Sequence, residues 1–159
     1  MQVNADKLVY IPIQLQRTRM EPYLLDEFSR MVYDIYEGSY PRLGYHPPWI
    51  GYFAMSEDTV VGVGGYKGRP VRGCVEIAYG TVPAYEGRGV SSNTCGYLTR
   101  LALSHQPDLR VIAHTLTMEN ASTSILRKHG FVFAGIINDP EDGEVWEWEF
   151  KSERESVRK

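Results

Sequence analysis

From Val82 the sequence reads VPAYEGRGVSSNT, and four small residues, Gly87, Gly89, Ser91 and Ser92, crowd the end of that stretch. Glycine lets a backbone turn tightly and lets a ligand reach the N–H groups with no Cβ in the way. A strand ending near Val82 and a helix beginning near Val90 would bracket the turn. The first turn of a helix carries unpaired N–H donors and the positive end of the helix dipole. Turn and helix start together make a site for a phosphate or pyrophosphate, and Arg88 adds a cation that can contact phosphate oxygens. Taken alone, the same stretch fits a glycine-rich turn before a capped helix equally well.

The familiar phosphate motifs do not match. A P-loop requires a Gly-Lys pair, and the chain has none; a dinucleotide fingerprint requires glycine where Ser92 stands. In GVGGYKG the sixth position is Lys67 and a proline-bearing loop follows instead of a helix. No nucleophile elbow and no metal-ligand spacing is present. Cys74 and Cys95 read as small buried apolar residues in a reducing cytoplasm.

The elements that must hold the turn follow from periodicity. KLVYIPI is β-branched and alternating, and Pro12 marks it as an edge strand. Residues 21–36 read as a helix with Leu24, Leu25, Phe28, Met31, Val32 and Ile35 on one face. Residues 39–48, with three prolines and a glycine, read as a loop. WIGYFAM, TVVGVGGY and CVEIAYGTV are strands, and KGRPVRG is a basic turn between the last two. Residues 90–105 form a helix with Val90, Tyr97, Leu98, Leu101 and Ala102 on one side. RVIAHTL is a buried strand. Residues 120–129 form a short helix, N-capped by Asn120 and ended by Gly130. FVFAGII and EVWEWEF pair around DPEDG, with Trp146 and Trp148 on one sheet face. The expected fold is an α/β (α+β) mixture: a mostly antiparallel sheet with one parallel pair, from the strand–helix–strand unit spanning residues 74–116.

At 159 residues the chain suits one domain, residues 1–150, followed by a charged and frayed tail, residues 151–159. Its net charge of -3 and pI near 5.8 argue against a general nucleic-acid binder. No apolar run reaches membrane-spanning length, and the N-terminus lacks a signal-peptide layout, so a cytoplasmic protein is expected.

Several linked stretches resemble the GNAT acyltransferase superfamily, and within it the ribosomal-protein-alanine type of N-acetyltransferase. VEIAYGTVPAYEGRG resembles that family's strand, proline, aromatic and phosphate loop. AHTLTMENASTSILRKHGF resembles its next strand, Asn-x-Ser helix start and Lys-x-Gly-Phe; DPEDGEVWEWEF resembles its closing hairpin. The resemblance covers residues 59–150, and the residues before them agree only in element order. It implies a central sheet splayed at two parallel strands, with flanking helices. Acetyl-CoA is then the cosubstrate, lying where the strand ending near Val82 diverges from the strand ending near Leu116. Pantetheine would pair with the backbone of Gly80, Thr81 and Val82. The pyrophosphate would sit on the N–H groups of Glu86, Gly87, Arg88, Gly89, Val90, Ser91 and Ser92. Asn120 would face the pantetheine or sulfur region.

Two positions depart from the family. Glu86 stands where Arg or Gln is preferred, and a carboxylate near pyrophosphate weakens binding unless it points away. Leu126 stands where many members place a tyrosine that protonates the leaving thiolate.

Acetyl transfer needs a neutral amine, a polarised carbonyl and an accepted thiolate. Glu76, on the strand beside the cleft, is the candidate base, set against a structural ion pair. Tyr79 is a candidate acid or a packing ring, and Ser122 an alternative acid or a helix-start residue. His114 reads as a core histidine, and His46 sits in a loop where this fold usually receives the acceptor. Lys67, Arg69 or Arg72 could meet the 3'-phosphate of CoA, or form a solvated hairpin tip. The expected activity is acetyl transfer from acetyl-CoA to a primary amine, a protein N-terminus or a small molecule, in a ternary complex. The alternatives are a non-catalytic acyl-CoA-binding module or a phosphate-binding structural domain. The partners are acetyl-CoA and the amine acceptor, with no nucleic acid, no membrane and no metal, in a monomer or homodimer. The first helix and the loop from Ser39 to Trp49 should shape the acceptor cleft.

Overall fold

The computed structural model describes residues 2–152. Strands β1 (Val9–Pro12), β2 (Gly51–Ser56), β3 (Thr59–Tyr66), β4 (Cys74–Thr81), β5 (Arg110–Thr115), β6 (Phe131–Asp139) and β7 (Gly143–Phe150) make one sheet in the order β1-β2-β3-β4-β5-β7-β6. Only β4 and β5 run parallel. Helices α1 (Arg17–Met20), α2 (Glu27–Leu43), α3 (Val90–His105) and α4 (Ala121–Lys128) accompany it. The expected order and the parallel pair are both present. β1 is an edge strand, and Pro12 ends it opposite Tyr52.

Helices α3 and α4 form as their sequences dictate. Val90, Leu98 and Ala102 are buried against the sheet, with Tyr97 and Leu101 half-buried beside them. Asn120 caps α4: its Oδ1 accepts from Thr123 N–H at 3.1 Å, and Thr123 Oγ1 accepts from Asn120 N–H at 3.0 Å. Gly130, at φ +87°, ends that helix in the left-handed region. Trp148 is buried and donates its indole N–H to Thr115 Oγ1 at 3.0 Å. Trp146 lies beside it, ring centroids 6.4 Å apart.

The first long helix differs from expectation in span and face. Asp26 accepts from Ser29 N–H at 2.9 Å and starts α2 six residues later than the apolar pattern suggests, while Glu21–Tyr23 form a separate 3-10 turn. The helix then runs through Pro41 to Leu43, so half of the expected loop is helical. Its buried face carries Ser29, Val32, Tyr33 and Tyr40. Leu25, Met31 and Ile35 are exposed. The reason is hydrogen bonding: Tyr33 donates to the Leu15 carbonyl (3.1 Å) and Tyr40 to the Ile13 carbonyl (2.8 Å), satisfying groups that aliphatic side chains would orphan.

Of the expected frayed tail, Lys151 is anchored. Its N–H donates to the Gly130 carbonyl at 2.9 Å and its ammonium lies 2.6 Å from Glu149. Residues 153–159 lie outside the described residues.

Candidate active site

The turn after β4 is built for exposed N–H groups. Pro83–Tyr85 make a 3-10 turn, Gly87 takes φ +76°, and Gly89, the residue before α3, takes φ +83°. A Cβ on Gly89 would also stand 3.3 Å from that of Ala5. The first helical bond runs from Asn93 N–H to the Gly89 carbonyl (3.0 Å), so the N–H groups of Val90, Ser91 and Ser92 lack partners within the helix. Ser91 Oγ lies 2.5 Å from Thr81 Oγ1 and ties the helix start to the end of β4. Ser92 Oγ meets His129 Nε2 at 2.9 Å. Burial, helped by the nearby Lys128 and Arg100 charges, holds His129 below the usual histidine range, against a weaker upward pull from Ser92. Arg88 is exposed, its guanidinium 5.9 Å from the Tyr85 ring centroid.

Glu86, Val82 and Gly80 call for corrections. The Glu86 N–H points back to the Pro83 carbonyl at 3.4 Å, so the outward donors begin at Gly87. Its side chain is exposed. The Val82 N–H donates to the Val61 carbonyl (2.9 Å) and its carbonyl accepts from Tyr85 (2.8 Å), and Gly80, two residues earlier on the same alternation, faces Val63 of β3, so of the run expected over residues 80–82 only Thr81 turns its backbone to the gap. The contacts of Glu86 and Tyr85 follow from the 3-10 turn, which draws its flanking groups inward.

The parallel strands diverge just past Glu76. Pairing of β4 with β5 ends at Ile77 and Ala113. Residues 78–81 of β4 pair with β3 alone, and His114 and Thr115 of β5 pair with β7 alone. Two cavities flank this gap. One, of about 630 Å³, lies between α2, the β6–β7 turn and the sheet face carrying Val63, Gly65, Ala78 and Gly80. The other, of about 430 Å³, is lined by His114, Leu116, Asn120 and Ser122. Lys67 lines both.

A charged cluster sits where the cavities meet. Glu76 Oε2 lies 3.0 Å from Lys67 Nζ and 3.5 Å from His114 Nδ1. Asp139 Oδ2 is 3.6 Å from the same nitrogen, and His114 Nε2 lies 3.1 Å from Glu147 Oε1. A carboxylate only accepts, so Nε2 carries the proton to Glu147. His114 Nδ1 is buried and has no hydrogen-bond partner among the described residues. Burial pulls the Lys67 ammonium down, but the Glu76 hydrogen bond and charge outweigh it and the net shift is upward. The N–H groups of Glu141 and Asp142 hold the Asp139 carboxyl below the usual carboxylate range.

The sequence-derived candidates separate clearly on this frame. Glu76, Gly80 and Thr81 lie on one strand at the gap, and Ser122 and Asn120 face it from α4. Asn120 Oδ1 is engaged in the cap, so its amide NH2 is the group it can present to a ligand. Tyr79 turns its phenol to the Cys95 thiol on α3, and burial pushes that phenol well above the usual tyrosine range. His46 packs against Gly44 and lines neither cavity. Residues 67–73 lie at the Cys74 end of β4, whereas the phosphate turn follows its Thr81 end. Eight extended residues separate them by roughly 25 Å, and Lys67 turns into the cleft. Asp139, Glu147 and the α2 residues Phe28, Ile35 and Tyr36 were absent from the sequence-derived set. Gly65 was the available signal for Tyr36: a Cβ there would lie 2.7 Å from the Tyr36 hydroxyl.

Residues 7–132 match the family described as the acetyltransferase (GNAT) domain. The chain belongs to the GNAT acetyltransferase family. Acetyl-CoA is its cosubstrate, and N-acetyl transfer its reaction. Solved structures agree on the fold. An aminoglycoside acetyltransferase, AAC(6')-Ib, in complex with coenzyme A superposes with a TM-score of 0.68 at 14% identity, covering 96% of this chain and 98% of its own. A Salmonella typhimurium acetyltransferase that modifies the N-terminal serine of a 50S ribosomal subunit protein gives 0.65 at 13%, with 95% and 99% covered. A spermidine N-acetyltransferase chimera from Vibrio cholerae gives 0.63 at 13%, with 90% and 94% covered. No curated protein matches the sequence. Among the described residues no helix is long and apolar enough to cross a membrane.

Proposed function

We propose that residues 1–150 form one catalytic domain that transfers acetyl from acetyl-CoA directly to a primary amine, with Glu76 as the base. Glu76 carries this reading: it sits at the divergence of β4 and β5, paired with Lys67, which lines both cavities, and 3.5 Å from His114, which lines the second. The pyrophosphate rests on the N–H groups from Gly87 to Ser92, a cradle that does not depend on the Glu86 side chain. Pantetheine takes the open backbone of Tyr79 and Thr81, which alternate toward the gap, with the Asn120 amide opposite. The amine enters from the α2 side as an ammonium, gives one proton to Glu76 directly or through a water, and attacks the thioester carbon, its second proton passing to solvent as the amide forms. A C–N bond forms, the tetrahedral intermediate collapses, and the C–S bond breaks with the electron pair on sulfur. Ser122, in the second cavity, donates a hydrogen bond to that thiolate, and solvent supplies its proton. Leu126 is fully buried and has no role in the transfer. Tyr79 serves packing, given its phenol's contact with Cys95. Holding both reactants in one cleft supplies much of the rate.

The enzyme works in the cytoplasm as a monomer or homodimer, where reducing conditions suit its free Cys74 and Cys95. A binding-only module would share Leu126 and Glu86, and it differs in what Glu76 does. Calorimetric titration with acetyl-CoA and thiol release with an amine panel, each run on wild type and Glu76→Gln, separate the two. Saturable binding in both proteins with turnover lost only in the variant supports the enzyme. Binding without turnover in the wild type on every amine overturns it.

A further inference from the structure

We propose that the acceptor is a small monoamine carried on an apolar body, aryl or branched alkyl, seated in the cavity beneath α2. This rests on the N-acetyltransferase reading above and narrows its acceptor. The fold does not choose among acceptors, since similar folds belong to enzymes named for an aminoglycoside, for spermidine and for a protein N-terminus. The lining of this chain's own cavity does.

Size comes first. A volume of about 630 Å³ suits a drug-sized molecule. The walls are Phe28, Val32, Ile35, Leu43 and Val63, with Tyr36 among them. Ile35 is 58% exposed and lines the cavity, so its side chain is available to cover a bound apolar group. Gly51 and Gly65 let the Tyr36 ring settle onto the sheet: a Cβ at Gly51 would lie 2.4 Å from it. The result is a flat aromatic surface suited to ring or alkyl contact.

Charge comes second. The charged lining residues balance: Arg42 and Lys67 against Asp139 and Glu141. Arg42 stands 3.9 Å from Glu141, and Lys67 is on Glu76 at 3.0 Å. Asp139 has no lysine or arginine of its own among these pairs; it faces His114 at 3.6 Å and is held ionised by the N–H groups of Glu141 and Asp142. Asp139 and Glu76 together can receive one ammonium. A second ammonium on the same molecule would meet hydrocarbon or a Glu141 already opposite Arg42, where an uncompensated charge is costly. An extended peptide fits no better. It needs main-chain partners, but the backbone groups of α2 bond within the helix, those of β3 and β4 on the cavity floor pair with each other, and the open flank of β4 past Ile77 is the one pantetheine takes.

The test uses the full chain saturated with CoA. Calorimetric titrations with 2-phenylethylamine, spermidine and a tripeptide with a free N-terminus compare affinities without requiring turnover. The expected order puts 2-phenylethylamine at least tenfold tighter than either of the others. Ile35→Asp should weaken it at least tenfold, and Ile35→Met should leave it within about twofold; both sit at an exposed helix position and keep the fold. Spermidine or the tripeptide binding as tightly, no measurable 2-phenylethylamine binding, or an unchanged affinity in Ile35→Asp would each overturn the proposal. Thiol release from acetyl-CoA is read separately. Amine bound in the expected order without thiol release sinks the transfer reaction and leaves the binding class standing.

Discussion

The glycine turn after β4 and the cavity wall beneath α2, the proposed seats of the pyrophosphate and the acceptor, are built on opposite principles. The turn after β4 works through backbone: left-handed glycines, orphaned N–H groups and one serine–threonine contact, all within a dozen residues of chain. The cavity and its charged rim are built from side chains of α2, β3, β4, β5 and the β6–β7 turn. A backbone site tolerates side-chain drift and accepts one ligand chemistry. A side-chain site changes its ligand with each substitution. The folds that superpose on this one, with their differently named acceptors, fit that division.

Glu76→Gln should break the comparison most visibly. It is expected to lower kcat/KM by roughly 10²–10⁴-fold with acetyl-CoA affinity unchanged. Thiol release and calorimetry on the same preparation check it, and a parallel loss of cofactor binding would mean the two regions are one site. Gly89→Val probes the other side. A β-branched residue at φ +83°, close to Ala5, costs about 1–3 kcal/mol of strain. Acetyl-CoA Kd should rise about 10- to 100-fold while KM for the amine stays near wild type, as initial-rate kinetics would report.

Smaller effects sharpen the boundary. Asn120→Ala removes the α4 cap and should cost about 1 kcal/mol, seen as a fall of roughly 2–4 °C in Tm for a chain of this size. A larger rise in acetyl-CoA Kd than in instability would show the amide at work on the ligand. The smallest effect is one of pH. Hydrogen bonds from Arg127 and Thr123 hold the exposed Glu119 carboxyl down to about 2, from an ordinary 4.5. Its folded value is depressed, so its support for α4 is present above the ordinary value and fades as pH falls toward about 2. The Glu119 carboxyl carbon resonance should titrate there, and in Arg127→Ala the midpoint should move back up.

Sequence legibility follows the same line. The glycine turn, α3, the α4 cap and Gly130 were readable because each depends on local chemistry: a left-handed φ, an N-cap, a face with one period. Glu76 was readable on its strand. Its neighbours were not, because Lys67, His114, Asp139 and Glu147 come from segments far apart in the chain and meet only through strand order and register. The helix α2 misled for a physical reason. Its apolar residues recur with a helical period, yet apart from Val32 they face the cavity and solvent, while Tyr33 and Tyr40 join the buried side to satisfy the Leu15 and Ile13 carbonyls. Periodicity counts apolar residues and is blind to a carbonyl awaiting a donor. Pro41 misled too, since proline in the last turn need not end a helix.

With pantetheine on the β4 flank as proposed, the divergence of β4 from β5 also couples metabolism to persistence of the protein. Residues 78–81 hold one flank of their strand open to water. A ligand that completes that flank binds the native chain and not the unfolded one. Folding is then linked to the acetyl-CoA pool, with about 2.7 kcal/mol added when free cosubstrate exceeds Kd a hundredfold. Starved of its donor, the enzyme opens more often and meets proteases more readily; supplied, it lasts.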